Sequence, residues 1–183
     1  MFHSNTERLI DYWRARKGAC AAPARASIDP GEFPDLAPQV FILGRTGPGQ
    51  YVFRLAGGLV DELHGGRLGG VDALSLWAET YRTPLQLALE AIRRQPEPLV
   101  VAAEARAPKA EASLGLEITF APLTSVSGEI DRILGLYQPT TPVAALLGQP
   151  IQVLTVRGVT AARPGEGELP RLRLAAVDGR QIA

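Results

Sequence analysis

The sequence predicts an α+β fold in which a five-stranded antiparallel sheet carries helices on one face. Short alternating or apolar runs, which are typical of strands, lie on both sides of a central block with helical periodicity. This order differs from the regular alternation of strand and helix in a parallel sheet. The chain has 183 residues, 46% of them hydrophobic, which suits one domain with a sizeable core.

The first predicted element is an amphipathic helix over residues 4 to about 17. Ser4 or Asn5 can cap its N-terminus, and Gly18 can end it. Its apolar stripe consists of Phe2, Leu9, Ile10 and Trp13. Because such a stripe must be buried, we expect a second copy of the chain to cover it in a homodimer. The alternative is packing on the back of the sheet within the same chain.

A β-hairpin is predicted after a proline-rich connector over residues 19–38. Its strands, 39–43 and 50–55, flank the glycine-rich sequence GRTGPG, which is a strong turn signal. Alternation along the second strand puts Phe53 on one face and Arg54 on the other.

The central block is predicted to contain several helices. Leu59 and Leu63 indicate a short helix that ends at a pair of glycines. A second helical stretch begins near Ser75. Thr83 can cap a further helix with Pro84 at its first position, so we expect a new helix to start there.

The C-terminal half is predicted to be mostly strand. Three strands are expected at 99–105, 114–123 and 130–137, followed by a C-terminal β-hairpin built from 151–156 and 169–177. The predicted organisation is an N-terminal helix and connector at 1–38, a sheet domain at 39–140 and a C-terminal extension at 141–183.

The order of these elements is that of a PAS domain, and several stretches of sequence extend the similarity. The matching stretches are DYW at 11–13, PARASIDPGEFPDLAPQVFIL at 23–43, YVFRLAGGLVDELHGGRLGG at 51–70, LSLW at 74–77, LEITFAPLTS at 116–125 and IDRILGLYQP at 130–139. On these residues the chain resembles a family of short bacterial PAS-domain proteins, over roughly residues 9–140. His64 departs from the pattern, because an aromatic residue is expected before the glycine. The resemblance implies a PAS-like fold and a regulatory role without catalysis, and it implies no known ligand.

Composition argues against several classes of protein. Lys plus Arg and Asp plus Glu each number 19, so no broad electrostatic surface for nucleic acid or membrane is expected. The single cysteine, Cys20, excludes a scaffold held by intrachain disulfides. The N-terminus lacks the pattern of a signal peptide, and no stretch is apolar for long enough to span a membrane. The cytoplasm is the expected location.

The sequence does not favour an enzyme, a metal site or a redox cofactor. The chain has two histidines, His3 and His64, and one cysteine, which is too few for a zinc site. Haem is not expected, because the helix after Ser75 contains no histidine, and flavin photochemistry is not expected, because Cys20 precedes the first strand. Two alternatives remain open. One is an enzyme that uses Arg54, Glu117 and His64. The other is a nucleic-acid-binding regulator that uses the C-terminal arginines Arg157, Arg163, Arg171, Arg173 and Arg180.

A small-molecule pocket is expected between the sheet and the helices, for an uncharged or singly anionic organic ligand. The candidate lining residues are Phe41, Phe53, Arg54, Leu59, Leu63, Trp77 and Tyr81. The alternative is that these side chains simply fill the core. The leading hypothesis is a regulatory PAS protein without its own output domain, which acts by binding a ligand or by docking onto a signalling protein such as a histidine kinase.

Overall fold

The computed structural model describes residues 1–108, 113–146 and 148–162. Its helices are α1 (Ser4–Lys17), α2 (Gly58–Leu63) and α3 (Glu79–Arg94), with 3₁₀ turns at Arg25–Ser27, Pro30–Glu32, Ala37–Gln39, Ala73–Leu76 and Val143–Leu146. Its strands are β1 (Val40–Gly47), β2 (Gln50–Ala56), β3 (Leu99–Arg106), β4 (Leu114–Thr124), β5 (Ile130–Pro139) and β6 (Val153–Ala161).

The described strands form one antiparallel sheet with the order β2-β1-β5-β4-β3-β6. The sheet therefore has six strands, not the five expected. The additional strand, β6, pairs along the whole of β3, from Leu99 opposite Ala161 to Arg106 opposite Val153. The expected hairpin partner of this segment, 169–177, lies outside the described residues. The α+β class with an antiparallel sheet is confirmed, with one more strand in the sheet.

The two faces of the sheet are covered by different segments. We call the face under α2 and α3 the inner face, and the face under α1 and the connector the outer face. Alternation in β1 separates them, because Phe41 and Leu43 enter the inner cluster and Ile42 enters the outer cluster. Helices α2 and α3 lie on one face, as expected, and the N-terminal helix α1 lies on the opposite face.

The apolar stripe of α1 is buried within the chain. Leu9, Ile10 and Trp13 are no more than 2% exposed, and Phe2 packs beside Ile10. The Trp13 indole Nε1 donates a hydrogen bond to the carbonyl of Pro122 in β4, at 2.7 Å. These side chains therefore do not form a surface for a second copy, because the back of the sheet already covers them, as in the alternative stated above.

The central helices begin at other residues than expected. Trp77 has an extended backbone between a 3₁₀ turn and α3, and it forms a bridge with Leu154 of β6. Helix α3 then runs unbroken, with Pro84 in its second turn. The predicted helix start at Thr83 is therefore wrong, and Trp77 and Tyr81 do not share a helix face. A proline so near a helix N-terminus removes one backbone hydrogen bond without ending the helix.

The hairpin of β1 and β2 contains an irregularity that changes which side chains are buried. The register between the strands shifts between Ile42 and Leu43, so that Ile42 lies opposite Leu55 and Leu43 lies opposite Phe53. Arg54 is the extra residue of this bulge. Arg54 and Leu55 are both exposed as a result, although simple alternation would have buried Leu55 with Phe53.

Candidate functional site

The residues predicted to line a pocket fall into three groups. Phe41, Phe53, Leu63 and Trp77 are at most 4% exposed and belong to the inner-face core. Leu59 and Tyr81 are half-buried and pack against that core. Arg54 is exposed on the outer face, so it is not available as an anchor for a ligand between the sheet and the helices. The other six lie on the inner face, and their role as the lining of a ligand pocket stays a prediction.

An aromatic cluster occupies the centre of the inner face. The Phe41 ring contacts the rings of Phe53, Phe120 and Tyr137, with centroid separations of 5.5, 5.8 and 5.5 Å. Offset and edge-on contacts at this separation are favourable between aromatic rings. Gly135 of β5 lies directly beneath Phe41, and a methyl group at that position would overlap the ring. The ring thus occupies the space that a side chain at residue 135 would need.

One polar pair lies within this apolar region. His64 Nε2 and the Tyr137 hydroxyl are 3.3 Å apart, and their rings meet edge to face. Burial lowers the pKa of His64 to about 4, although the Asp61 carboxylate opposes the shift, and burial raises the pKa of Tyr137. His64 is therefore neutral near pH 7. His64 lies at the end of α2.

The alternative enzyme site is not assembled. Arg54 on β2 and Glu117 on β4 are separated by strands β1 and β5, which amounts to roughly 14 Å across three strand spacings. Glu117 instead accepts a hydrogen bond from the backbone N–H of His3, at 2.9 Å. His64 contacts Tyr137 on the inner face, whereas Arg54 and Glu117 lie on the outer face. The three residues of this alternative are therefore not brought together.

A charged network on the rim of the inner face was not predicted. Glu90 Oε1 accepts hydrogen bonds from the Tyr51 hydroxyl at 2.7 Å and from Arg45 Nε at 3.0 Å, and Glu90 Oε2 accepts one from Arg93 at 2.7 Å. Burial alone would raise the pKa of Glu90, but the three hydrogen bonds outweigh it and lower the pKa to about 2. The network joins α3 to the β1–β2 hairpin. Sequence offered only a weak signal for it, because the partners are 39 and 45 residues apart.

Other functional residues considered from the sequence are dispersed. No group of three His, Cys, Asp or Glu side chains suited to a metal ion occurs within residues 1–108, 113–146 and 148–162. Cys20 is exposed in the connector. Arg157 pairs with Glu104, and the arginines from Arg163 onward lie outside the described residues. Across the same described ranges, no helix is both long and apolar enough to cross a membrane.

Comparison with known proteins gives one family. A family model described as a PAS domain matches residues 1–138. The chain belongs to the PAS domain family. The match includes α1 and the connector as well as the sheet through β5, and membership supports a sensory or signalling role.

The remaining comparisons give little detail. No protein with a curated description matches this PAS chain. Twenty-eight chains of solved structures are similar to it. One of them, an RNA-binding light-oxygen-voltage receptor, has 15% sequence identity and a TM-score of 0.46. That match covers 69% of this chain and 38% of the receptor chain, so this PAS chain spans well under half of the receptor's length.

Proposed function

We propose that this chain is a regulatory PAS module without catalysis, which acts in signal transduction mainly by docking onto a protein partner. The observation that carries the proposal is the packing of the inner face. Four of the seven candidate pocket residues are at most 4% exposed and contact one another or the same core cluster. Close packing of this kind favours a stable scaffold over a preformed ligand site.

The family and the chemistry of the chain support the same proposal. PAS membership supports a signalling role, and Arg54, Glu117 and His64 lie too far apart to act together. We infer that the partner is a signalling protein, such as a histidine kinase, and that the chain works as a homodimer or in complex with that partner.

Sensing of a small molecule is the second candidate, and the His64–Tyr137 pair favours it. This pair is a polar group in an otherwise apolar interior, and such groups orient ligands in many binding sites. A ligand would then enter beside Tyr137, with His64 as the hydrogen-bonding group. Arg54 would take no part, since it lies on the outer face.

Purification of the tagged full chain from its native host, followed by chemical cross-linking and native mass spectrometry, tests these proposals. Docking predicts a signalling protein cross-linked to acidic side chains at defined positions of this chain. After the partner is removed, it predicts a native mass equal to one or two copies of the chain, with no small molecule retained. A stoichiometric small molecule retained in wild type and lost in Tyr137→Phe would instead support sensing. Turnover in a broad hydrolase and transferase screen, abolished by His64→Ala, would contradict both proposals.

A further inference from the structure

Three arginines from separate elements lie at one end of the outer face. Arg25 belongs to a 3₁₀ turn of the connector, Arg54 to β2 and Arg132 to β5. In the sheet, Gly44 of β1 pairs with Arg132 on one side and with Val52, two residues before Arg54, on the other. Neighbouring strands lie about 5 Å apart, so Arg54 and Arg132, on strands either side of β1, share one region of the surface.

Gly44 brings two of these arginines toward each other. The Arg54 side chain lies across Gly44, where a Cβ atom would come within 2.6 Å of Arg54 Nε and 2.9 Å of its Cγ. Any residue other than glycine at position 44 would push this side chain off the sheet. The lack of a side chain at Gly44 therefore lets Arg54 extend over β1 toward Arg132.

Arg25 and Arg132 also line the same surface cleft, of about 230 Å³, together with Ala24, Ala26 and Val126. The cleft is mostly apolar, and Val126 at its edge is fully exposed. Its wall is fixed in place, because Ala24 forms a bridge with Thr124 and the Thr124 N–H donates to the carbonyl of Pro23, at 2.9 Å. The cleft has the form of a small apolar pocket with cations beside it.

The charges on this surface are not balanced within the described part of the chain. Arg132 pairs with Asp131 at 2.8 Å, and Glu129 is exposed on the adjacent turn. Arg25 and Arg54 form no ion pair with any described residue. Guanidinium groups therefore exceed carboxylates on this surface. Those of Arg25 and Arg54 can form bidentate contacts with the carboxylates of a ligand.

We propose that this arginine surface, formed by Arg25, Arg54 and Arg132, docks an acidic segment of a protein partner. One apolar side chain of that segment enters the cleft beside Val126, and its flanking carboxylates pair with the arginines. The combination of an apolar cleft and surrounding cations selects such a segment over a purely apolar or a purely anionic ligand. The inference rests on the proposed docking function and assigns it a surface and a partner chemistry.

A synthetic peptide array tests the proposal with the full chain. The probes are 12-residue peptides of Glu, Asp and Ser with one central Leu, the same peptides with Gln and Asn in place of the acids, and the acidic peptides without Leu. We expect selection of the acidic peptides that contain Leu, and weaker binding at high salt. Selection of the Gln and Asn peptides, or of none, would overturn the proposal.

Variants locate the binding on the chain. The double variant Arg25→Gln/Arg54→Gln should lower the affinity for the selected peptide by about tenfold. The control is Arg94→Gln, at an exposed position at the end of α3, which should change that affinity by less than about twofold. Val126→Ser should lower the affinity for the peptide that contains Leu and leave the affinity for the peptide without Leu unchanged. Equal effects of the double variant and Arg94→Gln would overturn the proposed role of the arginine surface. A 12-nucleotide single-stranded RNA that binds these arginines more tightly than the acidic peptide does would also overturn it.

The two proposals fail in distinguishable ways. A signalling partner that cross-links to α3, and whose affinity is unchanged by Arg25→Gln/Arg54→Gln, would overturn the arginine surface and leave docking as the function. A small molecule retained by the native chain, with no partner cross-linked, would overturn docking itself. The thermal midpoint of each variant, measured in parallel, separates lost binding from lost folding.

Discussion

The two faces of the sheet are closed by different parts of the chain and by different contacts. The inner face is closed by helices from the middle of the sequence, through a dense apolar and aromatic cluster. The outer face is closed by α1 and the connector, with a smaller apolar cluster and several long-range polar contacts, among them Trp13 with Pro122 and Asn5 with Gln138. The difference indicates that the N-terminal segment closes one of the two faces of the core and is not an appendage of the sheet.

The largest expected effect concerns the outer face. Trp13 is 0% exposed and its indole N–H is hydrogen-bonded, so Trp13→Ala should lower the free energy of unfolding by about 3–5 kcal/mol. Urea denaturation, monitored by circular dichroism, measures this loss of free energy. Asp11→Ala, on the exposed side of the same helix, should change stability by about 0.5 kcal/mol or less. A cost below about 1 kcal/mol for Trp13→Ala would mean that α1 does not contribute to the core.

The second effect concerns acid stability of the inner face. Because burial lowers the pKa of His64 to about 4 from an ordinary 6.5, the unfolded chain takes up a proton at a higher pH than the folded chain. The contribution of neutral His64 to the free energy of unfolding should be complete above about pH 6.5. It should fall toward pH 4, by at most about 3 kcal/mol. His64→Gln should flatten this decline in urea denaturation between pH 7 and pH 4. His3→Asn, at the start of α1, is the matched control. Parallel pH profiles for wild type and His64→Gln would contradict the burial of His64.

The third effect concerns packing at the centre of the inner face. Gly135→Ala places a methyl group against the Phe41 ring, and this ring is held by three aromatic neighbours, so the change should cost about 1–3 kcal/mol. Gly158→Ala on β6 is the matched control, because nothing lies within 4 Å of its added Cβ. Phe41→Leu should partly restore Gly135→Ala in a double-mutant cycle. Additive losses in that cycle would show that the two residues are not in contact.

The smallest effect concerns the charged network that joins α3 to the hairpin. Glu90→Gln should cost about 1–2 kcal/mol at pH 7, because it removes the charge that three side-chain donors share. The pKa of Glu90 is lowered to about 2, so its contribution is complete above about pH 4.5 and disappears as the pH falls toward 2. The stability difference between wild type and Glu90→Gln should shrink over that range. Glu62→Gln, exposed on α2, serves as the control. A difference that does not change with pH would argue against the network.

Local sequence signals predicted the order of elements better than their placement. The hairpin of β1 and β2 and strands β3 to β5 follow from alternation and turn residues, which act over a few positions. The side of the sheet that α1 occupies depends on contacts such as Trp13 with Pro122, 109 residues apart. Periodicity identifies an apolar stripe but does not say what covers it. The pairing of β6 with β3 also joins residues far apart in sequence, such as Leu99 and Ala161.

The candidate site shows the same limit. Alternation put Phe41 and Phe53 toward the helices correctly, yet it could not predict the bulge that leaves Arg54 and Leu55 both exposed. The His64–Tyr137 pair and the contacts of Glu90 with the β1–β2 hairpin were not predicted either, because each joins residues at least 39 positions apart. Hydrogen-bond partners at such separations are set by tertiary packing.

The two tryptophans of the chain allow the most direct test of the account, because each reports on one face. Trp13 is buried on the outer face and Trp77 on the inner face. Urea unfolding of Trp77→Phe follows Trp13 by fluorescence, unfolding of Trp13→Phe follows Trp77, and circular dichroism supplies a common reference in each variant. If the N-terminal segment is part of one cooperative core, the fluorescence and dichroism midpoints will coincide in both variants. Exposure of Trp13 at a lower urea concentration than the loss of secondary structure would contradict the account.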